Sequence, residues 1–561
     1  MKSTERNNNF LIQGSILAFA SIIVRIIGFI YRIPMTRIIG NEGMGFYESA
    51  FQIYNIALIL SSYSLPIAVS KLVAARNVNK EHRNSYRVFL CSMIFAVSVG
   101  LIASLIVFFG ADYFPAIINN DPDPKAGLAL KVLAPTIFVF SIMGVFRGFF
   151  QGKNTMIPTA VSQIIEQIIN AIVSVIACYW LIKNYSASAS VAAYGAAGGT
   201  LGTLLGALSG LLFLVFVFLI YKPVLNKQLR HDKTGHRESY GDIFKVIILT
   251  ISPIILSQTV YHISGVLDQS LFGHIMATKE ISAFDSTFLG NTVVGQLYSP
   301  ENRRVLYGVY SSKYRVLTNL PVSIASAIGA ATITSIAAAK GMGDDGLIRS
   351  KVHVAIKFNM LIAIPSAVGM AVLASPILKL LFNDGSDMAA NLIKLGSISI
   401  IFYSFSTVTT SMLQGINKLK IPVINAAISL LIHILLVFLL LKFTPFSTYA
   451  LVIGNVVFAM VNSFLNWYSL SKYVDYKQEM MKSFVIPLIS SGLMGLAAFL
   501  TYKGLYIFTE RNAISVIIAI FISVLVYFGF MIYLKGIDEA ELKGLPRGSK
   551  VVKLLKKIHL M

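Results

Sequence analysis

The sequence predicts an all-α membrane protein with about fourteen transmembrane helices, arranged as two parallel six-helix lobes followed by two C-terminal helices. Composition is the first observation behind this prediction. Of the 561 residues, 56% are hydrophobic and only 13% are charged, whereas soluble domains carry about 25% charged residues. The mean hydropathy is +0.73. A chain this apolar excludes soluble enzymes, disordered proteins and fibrous proteins.

Long apolar runs are the second observation. A helix needs about 20 mostly apolar residues to cross a hydrocarbon core of roughly 30 Å. The first run continues past Ala18-Phe19-Ala20, which is similar to a signal-peptidase site, so we expect a retained helix there. Fourteen such runs follow one another, at 10–31, 44–68, 88–111, 127–148, 157–182, 190–221, 246–273, 305–338, 353–382, 388–413, 421–441, 447–471, 484–506 and 513–534.

Loop lysines and arginines predict the orientation. The net charge is +22, and basic residues concentrate in alternate loops, such as 71–87 and 222–245. Cytoplasmic loops carry this excess in membrane proteins, so we expect both termini in the cytoplasm. The tail at 550–561 alternates lysine with aliphatic residues and predicts a basic amphipathic helix on the anionic inner leaflet. Nucleic-acid binding explains these charges less well.

An internal repeat is the third observation. One motif occurs twice at matching topological positions, and we call the separation of Gln151 from Gln414 the repeat offset. Two units of six helices fit this offset, and an even number gives both units the same orientation. The copies read Gln151-Gly152-Lys153-Asn154 with Pro158, and Gln414-Gly415-Ile416-Asn417 with Pro422.

The repeat sets the predicted domains and favours a transporter that works by alternating access. Glycines spaced four apart in the sixth run indicate either tight helix packing or a helix that bends during transport. The domains are a first lobe at 1–221, a cytoplasmic linker at 222–245, a second lobe at 246–472, and the last two helices with the basic tail at 473–561.

Charged residues inside apolar runs are the candidate functional residues, because a charge in hydrocarbon costs a few kcal/mol and usually faces water or a partner. Arg25 and Arg32 lie two turns apart on one face of the first helix, about 10 Å along the axis. Two guanidinium groups suit a pyrophosphate, since each binds phosphate oxygens through two N–H groups. The alternatives are pairing of Arg25 with a carboxylate and extension of Arg32 to the interface. Arg315, near the outer end of the eighth run, has the same alternatives.

Glu166 and Asp268 are candidates for coupling to protons or sodium, or for pairing with Arg25. His433 predicts either a packing residue or a proton relay. No cluster has metal-ligand spacing, and no phosphate-binding loop of an ATPase is present. We therefore expect no metal and no cofactor.

Several stretches resemble the polysaccharide-biosynthesis and stage V sporulation protein B family, part of the multidrug/oligosaccharidyl-lipid/polysaccharide exporter superfamily. The opening IVRIIGFIYRIP at 23–34 carries the resemblance most clearly. The resemblance extends over nearly the whole chain. The other matching stretches are 65–73, 147–152, 158–167, 306–308, 319–321 and 413–415.

The resemblance implies a two-lobed fold similar to multidrug exporters and a flippase for an undecaprenyl-pyrophosphate-linked sugar, as in the lipid II flippases. It also implies that Arg25, Arg32 and Arg315 line a cationic cavity. Coupling to protons, sodium or the membrane potential is expected. The expected partners are a lipid-linked oligosaccharide, membrane lipids and cell-wall synthesis proteins, and the expected state is a monomer.

Two other functions stay open at this point. A cation-coupled drug antiporter of the same superfamily is the first, and it predicts a more acidic and aromatic cavity. A membrane glycosyltransferase is the second. It needs catalytic acids in a large loop, and the longest predicted outer loop offers Glu280, Asp285 and Glu301.

Overall fold

The computed structural model describes residues 2–232, 234–290 and 293–538. Across these residues the chain is helical, apart from turns and one isolated antiparallel bridge between Glu280 and Leu297. In the described part, twelve helices are long and apolar enough to cross a membrane, or thirteen if one bent pair counts as a span. The predicted all-α membrane fold is confirmed, and the predicted amphipathic tail at 550–561 lies outside the described residues.

Each of the fourteen apolar runs coincides with helical structure. Two short π-helical segments also occur, at Tyr310–Arg315 and Met481–Val485. The helices are α1 (Lys2–Ser61), α2 (Leu65–Val78), α3 (His82–Gly110), α4 (Phe114–Asn119), α5 (Leu128–Gly152), α6 (Ile157–Asn184), α7 (Val191–Arg230), α8 (Tyr240–Met276), α9 (Ala283–Leu289), α10 (Pro300–Val309), α11 (Val316–Gly341), α12 (Asp345–Val372), α13 (Ala374–Phe382), α14 (Asp387–Gly396), α15 (Ser399–Gly415), α16 (Lys420–Phe443), α17 (Thr448–Val474), α18 (Ile486–Thr509) and α19 (Asn512–Tyr533).

Helix α1 contains the first predicted run and most of the second. Its 60 residues are interrupted at Gly40, whose backbone angles (φ 68°, ψ −177°) are not helical. Glycine reaches this conformation without steric strain, because it has no Cβ. The predicted run at 388–413 is also divided, because α14 and α15 are bent by 42° relative to each other.

Packing divides the chain into two compact units. The first unit comprises Met1–Ile281 with Gly295–Ser312, and the second comprises Ser282–Val294 with Lys313–Met561. By this measure α8 belongs to the first unit. The predicted lobe boundaries at 221, 245 and 472 refer to membrane topology and stay predictions.

The repeat is visible in the backbone of both units. Asn120 and Asn383, separated by the repeat offset, both end a helix with left-handed φ. Asn154 and Asn417, at the same offset, have left-handed φ after the Gln-Gly motif. Asparagine tolerates this conformation better than most residues. The two units therefore have the same residue type in the same backbone conformation at these turns, as well as the same order of helices.

Glycines on α7 allow it to pack closely against α6 in the first unit. A Cβ on Gly206 would lie 2.6 Å from the carbonyl oxygen of Glu166, and a Cβ on Gly202 would lie 2.6 Å from that of Asn170. The helix backbones therefore touch wherever α7 carries glycine at every fourth position, as small residues allow in membrane proteins. Of the two interpretations of these glycines, the geometry supports tight packing.

Candidate functional site

A stripe of polar side chains runs along α6 in the first unit. Ser162, Glu166, Asn170 and Ser174 are spaced by four residues, so they lie on one face of the helix. Ser162 and Ser174 are fully buried and Asn170 is nearly so. Because α6 is apolar enough to cross a membrane, polar groups along it need partners from neighbouring helices. We call these four residues the α6 stripe.

Arg147 of α5 supplies the main partner. One of its terminal nitrogens lies 2.7 Å from Glu166 Oε2, and its Nε donates to Ser162 Oγ at 3.1 Å. The side chains of Arg147 and Glu166 are only 11% and 20% exposed. Removing either partner would leave a largely buried charge, which is strongly destabilising. Glu166 is therefore ion-paired with Arg147. Its predicted coupling to protons or sodium and its predicted pairing with Arg25 stay predictions.

Arg32 is also ion-paired. Its guanidinium lies 3.2 Å from Glu48 Oε1 and 5.7 Å from the centre of the Tyr47 ring. Both partners lie in the second half of α1, beyond the break at Gly40. Sequence reasoning did not single out Glu48 or Arg147. The available signal was their charge, since Glu48 lies within the run at 44–68 and Arg147 within the run at 127–148.

The first half of α1 packs against the α6 stripe. Asn170 Nδ2 donates to the hydroxyl oxygen of Tyr31 at 3.4 Å. A Cβ on Gly28 would lie 3.1 Å from Gln167 Nε2, so this glycine permits close approach of α6. Arg25 lies one helical turn before Gly28 and is exposed. The structure thus brings Arg25, Arg32 and Glu166 onto two adjacent helices.

The remaining candidates lie elsewhere. Asp268 is buried in α8 of the first unit. Arg315 is half-buried at the end of the first π-helical segment and belongs to the second unit. His433 is buried in α16, with its ring centre 5.9 Å from that of Phe458. Their predicted roles stay predictions.

The repeat motif lies at the turns between consecutive helices. Gln151 Nε2 is 3.5 Å from Thr159 Oγ1, on the opposite side of the turn. Gly152 packs against Val73, and Gly415 packs against Ile336 in the second unit. These glycines give close helix contacts at the same place in both units. The other motif residues follow the same order, with Gln414 one residue before the end of α15, Pro158 in the first turn of α6 and Pro422 near the start of α16.

Lys153 follows the first copy of the motif. Its ammonium donates to Asn77 Oδ1 at 3.0 Å and to Gln228 Oε1 at 3.3 Å. Burial of this group lowers the pKa of Lys153 to about 8. A neutral polar environment thus surrounds a lysine in the turn between α5 and α6.

The second unit has its own polar stripe on α16. Asn425 Nδ2 donates to Asn466 Oδ1 at 2.8 Å, and Asn466 Nδ2 donates to Thr410 Oγ1 at 2.9 Å. Ser429 and His433 continue the stripe at four-residue spacing. We call Asn425, Ser429 and His433 the α16 stripe. It contains no carboxylate and no guanidinium.

A further ion-paired cluster in the first unit was not anticipated. Arg304 of α10 lies 2.9 Å from Asp121 and 3.0 Å from Glu42, and its guanidinium is 4.3 Å from the ring centre of Phe46. This cluster ties α10 to α1 and to the turn after α4. No group of three or more potential metal ligands occurs in the part of the chain that the structure describes.

Comparison with known proteins identifies the fold and the family. A family model described as "Polysaccharide biosynthesis protein" matches residues 11–339, and the model "MatE" matches residues 310–439. The chain has the same fold as a solved structure titled "Lipid II flippase MurJ, inward closed conformation", with a TM-score of 0.65 and 17% identity over 92% of this chain and 97% of that one.

Two curated relatives come from Bacillus subtilis (strain 168). The lipid II flippase MurJ is 25% identical, and the match covers 87% of both chains. Stage V sporulation protein B is 23% identical, and the match covers 77% of both chains. The family resemblance seen in the sequence is confirmed.

Proposed function

The chain belongs to the polysaccharide biosynthesis protein family, and from this premise we propose that it is a flippase for an undecaprenyl-pyrophosphate-linked saccharide, namely the peptidoglycan precursor lipid II. The homologous proteins are flippases and transporters rather than enzymes, so the chain is a transporter. It is a multi-pass protein of a bacterial cytoplasmic membrane. The positive-inside pattern of its loops supports cytoplasmic termini.

The observation that carries this proposal is the exposure of Arg25 on α1, one helical turn before Gly28, the residue that approaches α6. A guanidinium on a helix apolar enough to cross a membrane is costly unless it meets water or an anion. A pyrophosphate binds a guanidinium through two parallel N–H···O contacts. Arg32 is less exposed and is ion-paired with Glu48. We assign first contact with the pyrophosphate to Arg25, and a supporting role to Arg32.

In this mechanism the head group enters from the cytoplasmic side and exchanges its water for the Arg25 guanidinium and polar side chains. The polyprenyl tail stays in the lipid, since moving it into water would cost about 0.8 kcal/mol per CH₂ group. Alternating access then releases the head group on the outer side. The Arg147–Glu166 pair has no net charge, so it orders the α6 stripe without competing for the anion.

The test is transport of labelled lipid II by purified protein in liposomes. Arg25→Ala removes a charge-assisted contact, so we expect the rate to fall at least about tenfold. Arg349→Ala is the matched control, because Arg349 is an exposed arginine at the start of α12. It should transport at the parent rate. Equal rates for Arg25→Ala and the parent protein would show that this site assignment is wrong.

The drug-antiporter alternative makes a different prediction for the same vesicles. Ethidium efflux driven by a sodium or proton gradient, without lipid transport, would replace the flippase proposal. The energy source is tested by imposing a proton gradient, a sodium gradient or a membrane potential separately. The monomeric state and the association with cell-wall synthesis proteins stay predictions.

A further inference from the structure

A basic cleft lies in the first unit at the end predicted to be cytoplasmic, away from the α6 stripe. It has a volume of about 550 Å³. Its walls are the turn between α2 and α3, the last two turns of α7 and the residues that follow α7. The polar lining residues from these elements are Lys80, His82, Lys227, Gln228, His231 and Thr234.

Three acids near this cleft, Glu81, Asp232 and Glu238, already accept hydrogen bonds from other residues. Glu81 accepts from Asn84 Nδ2 at 3.0 Å. Asp232 accepts from the backbone N–H of Arg83 at 2.7 Å and from the hydroxyl of Thr234 at 2.6 Å. Glu238 is ion-paired with Arg76. In contrast, neither Lys80 nor Lys227 has an ion-pair partner within the described ranges 2–232, 234–290 and 293–538. The cleft therefore presents two ammonium groups that have no ion-pair partner among these described residues.

Neighbouring contacts hold the walls in place. Asn84, which is fully buried, donates to the backbone carbonyl of His236 and accepts from the backbone N–H of Glu238. Gln228 Oε1 accepts from Lys153 at 3.3 Å and from Tyr221 at 3.1 Å. Because both donors meet its oxygen, the amide NH₂ of Gln228 is left to donate to a ligand. The hydrogen-bond donors that line the cleft are therefore held in position before a ligand binds.

The backbone at Lys80 is unfavourable for lysine. Lys80 has a left-handed φ of 61° at the turn between α2 and α3. At the equivalent turn between α11 and α12, one repeat offset later, the left-handed residue is Gly343, with φ 71°. Glycine adopts this conformation without strain, whereas a side chain with a Cβ does not. Glycine would therefore fit this turn at least as well as lysine does.

The corresponding cleft of the second unit differs in charge. It has a volume of about 360 Å³ and includes Lys340, Asp345, Lys418 and Tyr473. Lys340 lies 3.9 Å from Asp345, and the ammonium of Lys418 lies 4.6 Å from the ring centre of Tyr473. Both lysines of the second cleft thus already have partners inside the protein. Of these two clefts, as far as the described residues show, the first is the one that offers unpaired cations to a ligand.

We propose that the first-unit cleft binds a phosphate-bearing anion, of the kind carried by an acidic phospholipid head group, through Lys80, Lys227 and the amide of Gln228. Ammonium groups bind phosphate as compact charges with three donors each. The location agrees with this ligand, because anionic lipids concentrate on the cytoplasmic leaflet. This site is separate from Arg25 and from transport of lipid II.

Binding is measured by native mass spectrometry of the full-length protein titrated with phosphatidylglycerol or phosphatidylcholine. The parent protein should retain phosphatidylglycerol in preference to phosphatidylcholine. Lys80→Gly and Lys227→Ala should each weaken phosphatidylglycerol binding about tenfold, the loss of one charge-assisted contact. Lys340→Ala, in the second cleft, is the matched control and should bind as the parent does.

Lys80→Gly also separates binding from folding. Glycine suits the left-handed turn, so this variant should melt at or above the temperature of the parent protein while losing affinity. Competition with inorganic phosphate identifies the source of the ligand: displacement shows that soluble phosphates share the site, and no displacement assigns it to lipid. Unchanged phosphatidylglycerol binding in both Lys80→Gly and Lys227→Ala, or equal binding of the two lipids by the parent, would overturn the proposal.

Discussion

The polar stripes of α6 and α16 occupy equivalent positions of the repeat but differ in chemistry. Each stripe residue of α6 has a counterpart one repeat offset later. Glu166 corresponds to Ser429, and Asn170 corresponds to His433. The first stripe therefore contains a carboxylate, whereas the second contains neither a carboxylate nor a guanidinium in the same register.

The partner residue on the neighbouring helix changes together with the stripe. Arg147 of α5 pairs with Glu166, and the counterpart of Arg147 at the repeat offset is Thr410 of α15, which accepts from Asn466. A charged pair in one unit is thus replaced by neutral hydrogen-bonding groups in the other. A lone arginine or a lone glutamate would leave an uncompensated charge in an apolar setting. Between the two units, the arginine and the glutamate are thus replaced together.

The largest expected effect comes from breaking this pair. Arg147→Met leaves the Glu166 carboxylate without its cation and should destabilise the protein by about 3 kcal/mol, the low end for buried pairs, since Glu166 keeps 20% of its side chain exposed. Thr410→Val removes a neutral acceptor from Asn466 and should cost only about 1 kcal/mol. Thermal unfolding of both variants in one detergent, at one scan rate, measures the difference.

The double variant Arg147→Met/Glu166→Leu sharpens this test. Replacing both charges by apolar groups should restore most of the lost stability, because no unpaired charge remains. A double variant as unstable as Arg147→Met would mean that Arg147 acts through packing. Equal losses for Arg147→Met and Thr410→Val would remove the proposed difference between the two stripes.

A smaller effect is expected where α7 packs on the α6 stripe. Gly202→Ala places a Cβ 2.6 Å from the Asn170 carbonyl and against Ser174 Oγ, so we expect a loss of about 1–3 kcal/mol from overpacking. Gly492→Ala in α18 is the matched control. Its Cβ would meet nothing within 4 Å, so this variant should gain up to about 1 kcal/mol from helix propensity. If Gly202→Ala unfolds at the parent temperature, the backbone contact between α6 and α7 is looser than described.

Much of the fold could be predicted from the sequence, because its signals are local. The length of each apolar run places a helix, and the spacing of Gly198, Gly202, Gly206 and Gly210 places a packing face on α7. The recurrence of Gln151-Gly152 at Gln414-Gly415 indicates the repeat. None of these signals requires knowledge of which helices are neighbours.

The ion pairs could not be predicted in the same way. Glu166 and Arg147 lie on different helices, and Arg32 and Glu48 lie on opposite sides of the break at Gly40. Each pair therefore forms only when separate helical segments pack together. Helical periodicity shows which residues of one helix lie close together. It carries no information about contacts between helices. The sequence shows that both arginines lie within or beside an apolar run, but it does not show their partners.

An effect that is absent at neutral pH concerns Lys153, whose counterpart in the second copy of the motif is Ile416. Burial lowers the pKa of Lys153 from 10.5 to about 8. Below pH 8 the folded and unfolded chains both hold this proton, whereas between pH 8 and 10.5 only the unfolded chain keeps it. The free energy of unfolding should therefore rise with pH in that window. Lys153→Ile, which copies the second repeat, and Lys153→Arg, which stays charged, should both lose this rise. Unfolding of the three proteins across the window measures it, and a rise that persists in both variants would assign the titration to another group.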